Sequence, residues 1–516
     1  MNYITKPIVI GSLVAIITHV VAEVWRRSRR KNITPSYLLR KDFRRGKRYQ
    51  IRHVRIPISN LSPPDDFVDL VDEEGLVLCH VTVEASGIVC EIQPARKDTK
   101  KPEGDTAIYD AKGSILMSCF VDAHTHLIKT QNVPRLRNVT GTWSEALRIE
   151  AYDQAKHWSN PQDIERRMEF AICCALHHGT MALRTHLDGC EGEAAENVYR
   201  VYSRLVEKYA KQDFILQGVA NLYLPLWLEE PLATRHADHA ARHANVVLGA
   251  YCDNPSQKEG GHDLSVRSMK ALLSHARRLN LDVDLHIDES NDPASRALDC
   301  LIEALQEARQ LGYSGRVVLG HCSSLSLQAP EKQAEVCTAL AELGAFVVAN
   351  PTTNLGLQDR RGSILPQSRP IAADIPRTPQ WRGLTLVQEL AAAGVTVCMA
   401  SDNVRDHWHP YGDYDLLHTW SLGLQVAHLD TAPSAGAWAH LVASSPARAM
   451  GLQTNNLLQI GQALNGVLFP RARRVSELLA RPQTCRIVLR QGVAVERRLP
   501  SFEELDDLVA ESSRTS

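Results

Sequence analysis

Over residues 49–116 apolar and polar positions alternate in short pieces, IRHVRIPI, LVLCHVTVEASGIVCEI and AIYDAKGSIL, punctuated by Gly and Pro. That period of two predicts half-buried strands, with residues 60–66 (NLSPPDD) as a loop. So small a β piece needs a partner sheet. Past residue 126 the rhythm changes. A helical stretch is predicted over 160–178, with Asn160 as N-cap, Pro161 in the first turn and Gly179 as its stop. Short apolar strands then recur as MALRTHLDG, FILQGVANLYL, VVLGAYC, LDVDLHIDE, GRVVLGHCSS, FVVANPTTN and VTVCMASDN. Helical patterns such as 266–279, 293–311 and 384–393 separate most of them. With ILMSCFV before His124 the strands number eight, and apolar strands linked by helices pair in parallel. The pattern predicts a TIM-type (β/α)8 barrel with its site at the C-terminal strand ends. After a last helical region over 435–450, GVLFP and CRIVLRQGVAVERR return to strand, the natural partners of the N-terminal β piece. The tail from Pro500 reads as a surface helix or as disordered.

Composition changes this picture only at the N-terminus. Of 516 residues, 44% are hydrophobic and 23% charged, ordinary for a globular protein. Residues 1–55 hold 14 Lys and Arg against 2 acids, which leaves 44 against 57 in the rest, so the main body is acidic and asks for no nucleic acid. An apolar run over 8–22 is followed by Trp25 and RRSRRK. It is short for a bilayer span, and three readings stay open: a membrane anchor through residues 8–25, an organelle-targeting segment, or an unstructured leader. An anchor would leave the barrel facing the cytoplasm. The 12 cysteines include no CxxC and read as small buried residues of a reduced compartment.

The chemistry lies at the strand ends. His124 and His126 close the first barrel strand two residues apart, on one side of it. His286 follows strand five, His321 strand six and Asp402 strand eight. One histidine at a strand end is ordinarily structural, and Asp-Asn after a strand is ordinarily turn chemistry. Five such groups at one rim are costly to bury unless paired or metal-bound, so jointly they read as a metal site. The run His236, His239, His243 at helical spacing reads instead as a solvated face.

Together FVDAHTHL, PRLRNVTGTWSEAL, HGTMALRTHLD, LHIDE, GHCSS, FVVANPTTNLGLQ and SDNVRDHWHPYGDYDLL resemble the cytosine deaminase branch of the amidohydrolase superfamily, over residues 48–498. The resemblance implies a metal-bearing barrel over 118–454 and a small β-sandwich built from 48–117 and 455–499, between a leader (1–47) and a tail (500–516). It implies one divalent metal, iron or zinc, held by His124, His126, His286 and Asp402 with a position left open. Glu289 takes the place of the family's proton-shuttling glutamate, with Asp288 the alternative. His321 takes that of the histidine that hydrogen-bonds the attacking oxygen, and Asp402 doubles as proton acceptor. His186 and Asp188 match family positions and read as supporting residues.

Substrate positions depart from the pattern. Tyr223 stands near the family's edge-reading glutamine, Asn403 where some members carry a second carboxylate, and Ile128 where an aspartate is common. Trp408 matches the family's aromatic over the substrate. The implied activity is hydrolytic deamination of cytosine or a related nitrogen heterocycle with release of ammonia. The alternatives are an N-substituted aminotriazine or other cyclic amide or amidine as substrate, or a non-catalytic scaffold. The expected partner is a small heterocyclic molecule, and a homo-oligomer is left open.

Overall fold

The computed structural model describes residues 43–62, 65–95, 105–188, 192–257, 259–360, 378–431 and 435–513. In chain order the strands are β1 (Tyr49–Pro57), β2 (Leu76–Val83), β3 (Val89–Pro94), β4 (Ala107–Asp110) and β5 (Ile115–Ser118). The barrel follows with β6 (Phe120–Thr125), β7 (Thr180–Leu187), β8 (Ile215–Tyr223), β9 (Val246–Tyr251), β10 (Val283–Ile287), β11 (Val317–His321), β12 (Phe346–Ala349) and β13 (Thr396–Met399). Last come β14 (Gly466–Phe469), β15 (Ile487–Arg490) and β16 (Val493–Val495).

β6 to β13 form one parallel sheet in which each strand pairs with the next in the chain, the expected barrel. β6, β7 and β11 are buried along their whole length, as strands covered on both faces are. The seam between β6 and β13 is closed just past the strand ends. Thr125 and Asp402 form a parallel bridge, the Asp402 N–H donates to the His124 carbonyl at 2.9 Å, and the Ser401 N–H and hydroxyl donate to the Asp122 carboxylate. Inside the barrel, beneath the site, Arg184 donates to Asp284 at 2.6 Å, and both are fully buried. Removing one partner would strand the other charge, at a cost of about 3–5 kcal/mol.

The two chain ends share the second, mixed sheet, in the order β16-β15-β14-β5-β1-β2-β3 with β4 beside β1. β14 runs antiparallel to β5, pairing Gly466 with Ser118 and Leu468 with Leu116, so the C-terminal strands complete an edge that the N-terminal piece leaves open. A separate apolar core, including Ile51, Val54, Val81, Leu468 and Leu489, lies under this sheet.

Among the helices, Pro161–His178 begins and ends as its sequence dictates: the Asn160 side chain accepts from the Gln162 and Asp163 N–H groups, and Gly179 stops it at φ 99°. Others differ from expectation. The pattern over 293–311 yields Ala297–Gln310, because residues 293–295 are spent in a turn. The region 435–450 is a 3-10 turn (Ala435–Val442) and a short helix (Ser444–Ala449), broken at Ala443. FVVANPTTN is a strand only to Ala349, after which Pro351 opens the helix Pro351–Leu357. The helix Trp143–His157 is not legible in the apolar period, since only Ala146, Ile149 and Asp153 are buried on it. The run His236, His239, His243 is not a solvated face. His236 is buried against Trp227, while His239 and His243 pack on Tyr199 with ring centroids 4.5 and 4.8 Å away.

The tail forms the helix Asp506–Ser513 behind a Ser501–Glu504 capping box, with Phe502 stacked on Phe170. Among the described residues no helix is long and apolar enough to cross a membrane, and the run at 8–25 lies outside them.

Candidate active site

Strand geometry brings the floor of the site together. His124 is the next-to-last residue of β6 and His126 lies one residue beyond the strand, so their rings share a side at 5.5 Å between centroids. His286 arrives from β10, His321 from the end of β11, and Asp402 three residues past β13. The His286 Nε2 lies 3.2 Å from the His124 Nε2 and 3.1 Å from the His126 Nε2, and the Asp402 Oδ1 lies 3.3 Å from the His126 Nε2 and 3.7 Å from the His124 Nε2. Several of these residues turn on a left-handed backbone: Asp288 at φ 51°, His321 at 71° and Asp402 at 58°. For non-glycine residues that is strain held in place by the surrounding fold, and it lets a strand end aim its side chain back over the barrel axis.

The donor set fits a divalent cation. Both carboxylate oxygens of Asp402 are buried without a hydrogen-bond partner, a cost that a cation among them would remove. Burial, with neighbouring imidazoles adding to it, pushes His124 and His286 well below the ordinary histidine range, so both present lone pairs at neutral pH. Burial also opposes charge on His126, yet Asp188 and Asp402 hold it up to about 9. Cation binding in this cluster displaces that proton. Around the cluster the His124 Nδ1 faces Asp284 at 4.0 Å and the His126 Nδ1 faces Asp188 at 3.9 Å, carboxylates placed to fix ring orientation.

His186 also falls in the cluster, but its nitrogens face other acceptors, the Thr125 carbonyl at 3.1 Å and Asp284 Oδ1 at 3.3 Å. Adjacent carboxylates after β10 part company. Asp288 accepts from the Ser295 hydroxyl and from the Ala297 and Leu298 N–H groups, capping the next helix. Glu289 instead lines the cavity with its Oε1 3.6 Å from the His321 Nδ1, and burial raises its carboxyl above the usual range. The His321 Nδ1 lies 2.9 Å from Asn354 Oδ1, and its Nε2 lies 3.3 Å from the Asn350 amide nitrogen and 3.9 Å from Asp402 Oδ2.

Above this floor opens a cavity of about 570 Å³. One wall carries Tyr223 and Tyr251, stacked at 5.1 Å, with the Tyr223 hydroxyl donating to Asp253. Trp408 also lines the cavity, edge-on to Trp143 at 5.7 Å, with its indole N–H donating to Glu150 at 2.8 Å. Asn403 also lines the cavity while its amide donates to Asp406 at 2.7 Å.

A model of the amidohydrolase family matches residues 225–495, more than half of the chain. The chain belongs to that family. It is a hydrolase acting on C–N bonds other than peptide bonds. It is 34% identical to the pterin deaminase of Rhizobium rhizogenes over 437 residues, 84% of this chain and 92% of that one. Identity to the N-isopropylammelide isopropyl amidohydrolase of a Pseudomonas species is 24%, over 68% of this chain and 79% of that one. The fold is that of the 5-methylcytosine deaminase of Klebsiella pneumoniae liganded with phosphonocytosine: TM-score 0.69, 23% identity, 88% of this chain and 99% of that one.

The site residues singled out in the sequence lie at this cavity or its floor, except Ile128, which is buried in the core. Sequence reasoning missed a second charged layer. Lys129, three residues past His126, is buried with its ammonium 3.0 Å from Asp188 and 3.2 Å from Glu150. Asn221 of β8 donates to Asp188 at 2.8 Å. A signal existed for Lys129, since lysine directly after a buried strand end is rare without a partner. None existed for Glu150, which sits on the helix the apolar period does not reveal.

Proposed function

We propose that this protein is a metal-dependent hydrolytic deaminase of a fused-ring amino-oxo heterocycle of the pterin class. The observation that carries the chemistry is the unpartnered Asp402 carboxylate among three converging imidazoles, with the Glu289 carboxyl beside it. His124, His126, His286 and Asp402 would hold the cation, iron or zinc, and when bound it supplies the Lewis acidity that makes a water nucleophilic near neutral pH. Glu289, whose carboxyl burial raises above the usual range, gives a proton to the ring nitrogen next to the amine-bearing carbon as water adds there. Asp402 receives a proton from the attacking water, and His321 hydrogen-bonds the oxygen as charge grows on it. A C–O bond forms, the new hydroxyl returns a proton to Glu289, Asp402 passes its proton to the exocyclic nitrogen, and the C–N bond breaks to leave ammonia and the oxo heterocycle.

The substrate class is supported by the similarity to a pterin deaminase along nearly the whole of both chains. The cavity adds to this. Its volume falls within the roughly 300–1,000 Å³ of pockets that enclose drug-sized ligands, and its tyrosine and tryptophan walls suit a flat bicyclic ring better than one pyrimidine. Tyr223 stands where an edge-reading glutamine serves cytosine, and here its hydroxyl is already committed to Asp253.

The test is ammonia release by reconstituted protein on a panel of pterin, cytosine, 5-methylcytosine and an N-alkylaminotriazine, with metal content measured in parallel. Pterin should give the highest kcat/KM, on the order of 10⁴ M⁻¹s⁻¹ or more. A cytosine value tenfold above it would overturn the substrate class, and protein that retains no transition metal would overturn the mechanism. Glu289→Gln separates enzyme from scaffold: turnover should fall about 10²–10⁴-fold with metal content unchanged.

A further inference from the structure

Lys129 is built into the cavity more firmly than a surface ion pair requires. Its backbone is clamped by a second buried cation, Arg167, which donates to the carbonyls on either side of it, Ile128 O at 2.6 Å and Thr130 O at 3.0 Å. Its ammonium lies 3.0 Å from Asp188 Oδ2 and 3.2 and 3.3 Å from the two oxygens of Glu150, with the Trp408 ring centroid 5.6 Å away. An ammonium has three N–H donors, and here they meet three carboxylate oxygens, two of them on Glu150; Lys129 also lines the cavity, so a substrate oxygen arriving there can take over one of the two Glu150 contacts.

The charged groups lining the cavity with it are mostly carboxylates, Glu150, Asp188, Asp253, Asp288, Glu289 and Asp359, and the neutral donors are side-chain amides such as Asn254 and Gln257. Arg360, the other lysine or arginine lining the cavity among the described residues, is exposed at the rim. A heterocycle with an oxo group and unprotonated ring nitrogens needs donors, and a buried, pre-positioned cation is a strong one.

We infer that Lys129 is a specificity-determining residue that turns one N–H from Glu150 to the ring oxo oxygen of the substrate, so that the site selects amino-oxo heterocycles over the same rings without the oxygen. This rests on the deaminase reading above. A purely structural lysine would support all substrates equally, and that difference is measurable.

The experiment compares kcat/KM for 2-amino-4-oxopteridine and for 2-aminopteridine, which lacks only the oxo group, in wild type and in Lys129→Met. Intrinsic reactivity differs between the two rings but cancels in the ratio of ratios. The wild-type preference for the oxo compound should fall at least about tenfold in the variant, the scale of one charge-assisted hydrogen bond. Lys129→Arg should keep part of it, and metal content should be unchanged. Equal losses on both rings would overturn the inference and leave the deaminase reading standing, whereas a wild type that turns over neither ring nor any of the panel overturns both. Because Lys129→Met leaves Glu150 and Asp188 without their cation and risks misfolding, wild type alone gives a second measurement. Pteridin-4-one should inhibit at least about tenfold more tightly than pteridine, and equal inhibition would overturn the inference.

Discussion

The floor of the site and its walls are held in different ways. His124, His126, His286 and Asp402 stand on or just past barrel strands, are at most slightly exposed, and are locked by the closure of β6 on β13. Tyr223, Tyr251, Trp143 and Trp408 stand at strand tips, on a helix and in a loop, and Tyr251 and Trp143 are exposed by 43% and 46%. The floor is organised around one charge-concentrating point and tolerates almost no displacement. The walls are organised around shape and hydrogen-bond polarity, which can change without disturbing the floor. A fold of this kind keeps one chemistry and changes its substrate.

The comparison breaks most visibly if the floor is touched. Asp402→Asn keeps the shape and removes the charge, and should cost the protein its metal and lower turnover on the order of 10³-fold or more. Metal analysis of the purified variant with a melting curve reads both losses, and an active variant with full metal content would show that Asp402 is not part of the floor. On the wall the effect should be smaller and of another kind. Tyr223→Phe leaves Asp253 without its hydroxyl donor, so KM should rise up to about tenfold while kcat and metal content hold. A drop in kcat at constant KM would place Tyr223 with the floor.

How far the sequence reveals each region follows from the same contrast. The floor is legible because a strand end fixes where a side chain points: two histidines at spacing two must share a side, and Asp402 after an apolar run must sit at the rim. Adjacent carboxylates defeat that logic. Asp288 and Glu289 look alike in the sequence, and only the left-handed turn at Asp288 decides that one caps a helix while the other enters the cavity. The wall is mostly illegible. Lys129 meets Glu150 across 21 residues and Asp188 across two helices and a strand, pairings with no period to betray them.

The smallest expected effect concerns what supports the wall. Asp163 accepts from Arg135 and Arg167, which also grips the backbone around Lys129. Burial opposes its ionisation, but the two guanidiniums outweigh burial and hold its carboxyl down to about 2. The folded state therefore keeps this carboxylate charged where the unfolded chain would already have protonated it. Its contribution, about 2 kcal/mol, is complete above roughly pH 4 and is lost as pH falls toward 2. Asp163→Asn should remove that part of the acid dependence, as read from denaturant midpoints between pH 5 and 2.5. An unchanged slope would mean the guanidiniums find other partners.

The pairing of β5 with β14 governs how the molecule comes into being. When a ribosome has made the first five strands, the edge at residues 115–118 has no neighbour, and the chain that will cover it lies almost 350 residues downstream. The barrel seam waits as well, since Thr125 meets Asp402 only after all eight barrel strands exist. Contacts of such sequence separation form slowly and leave apolar edges open meanwhile. Synthesis must thus pass residue 402 before the barrel can close and residue 495 before the second sheet is whole, and a nascent chain stalled in the barrel presents an unpaired strand to whatever chaperone or sister chain is near.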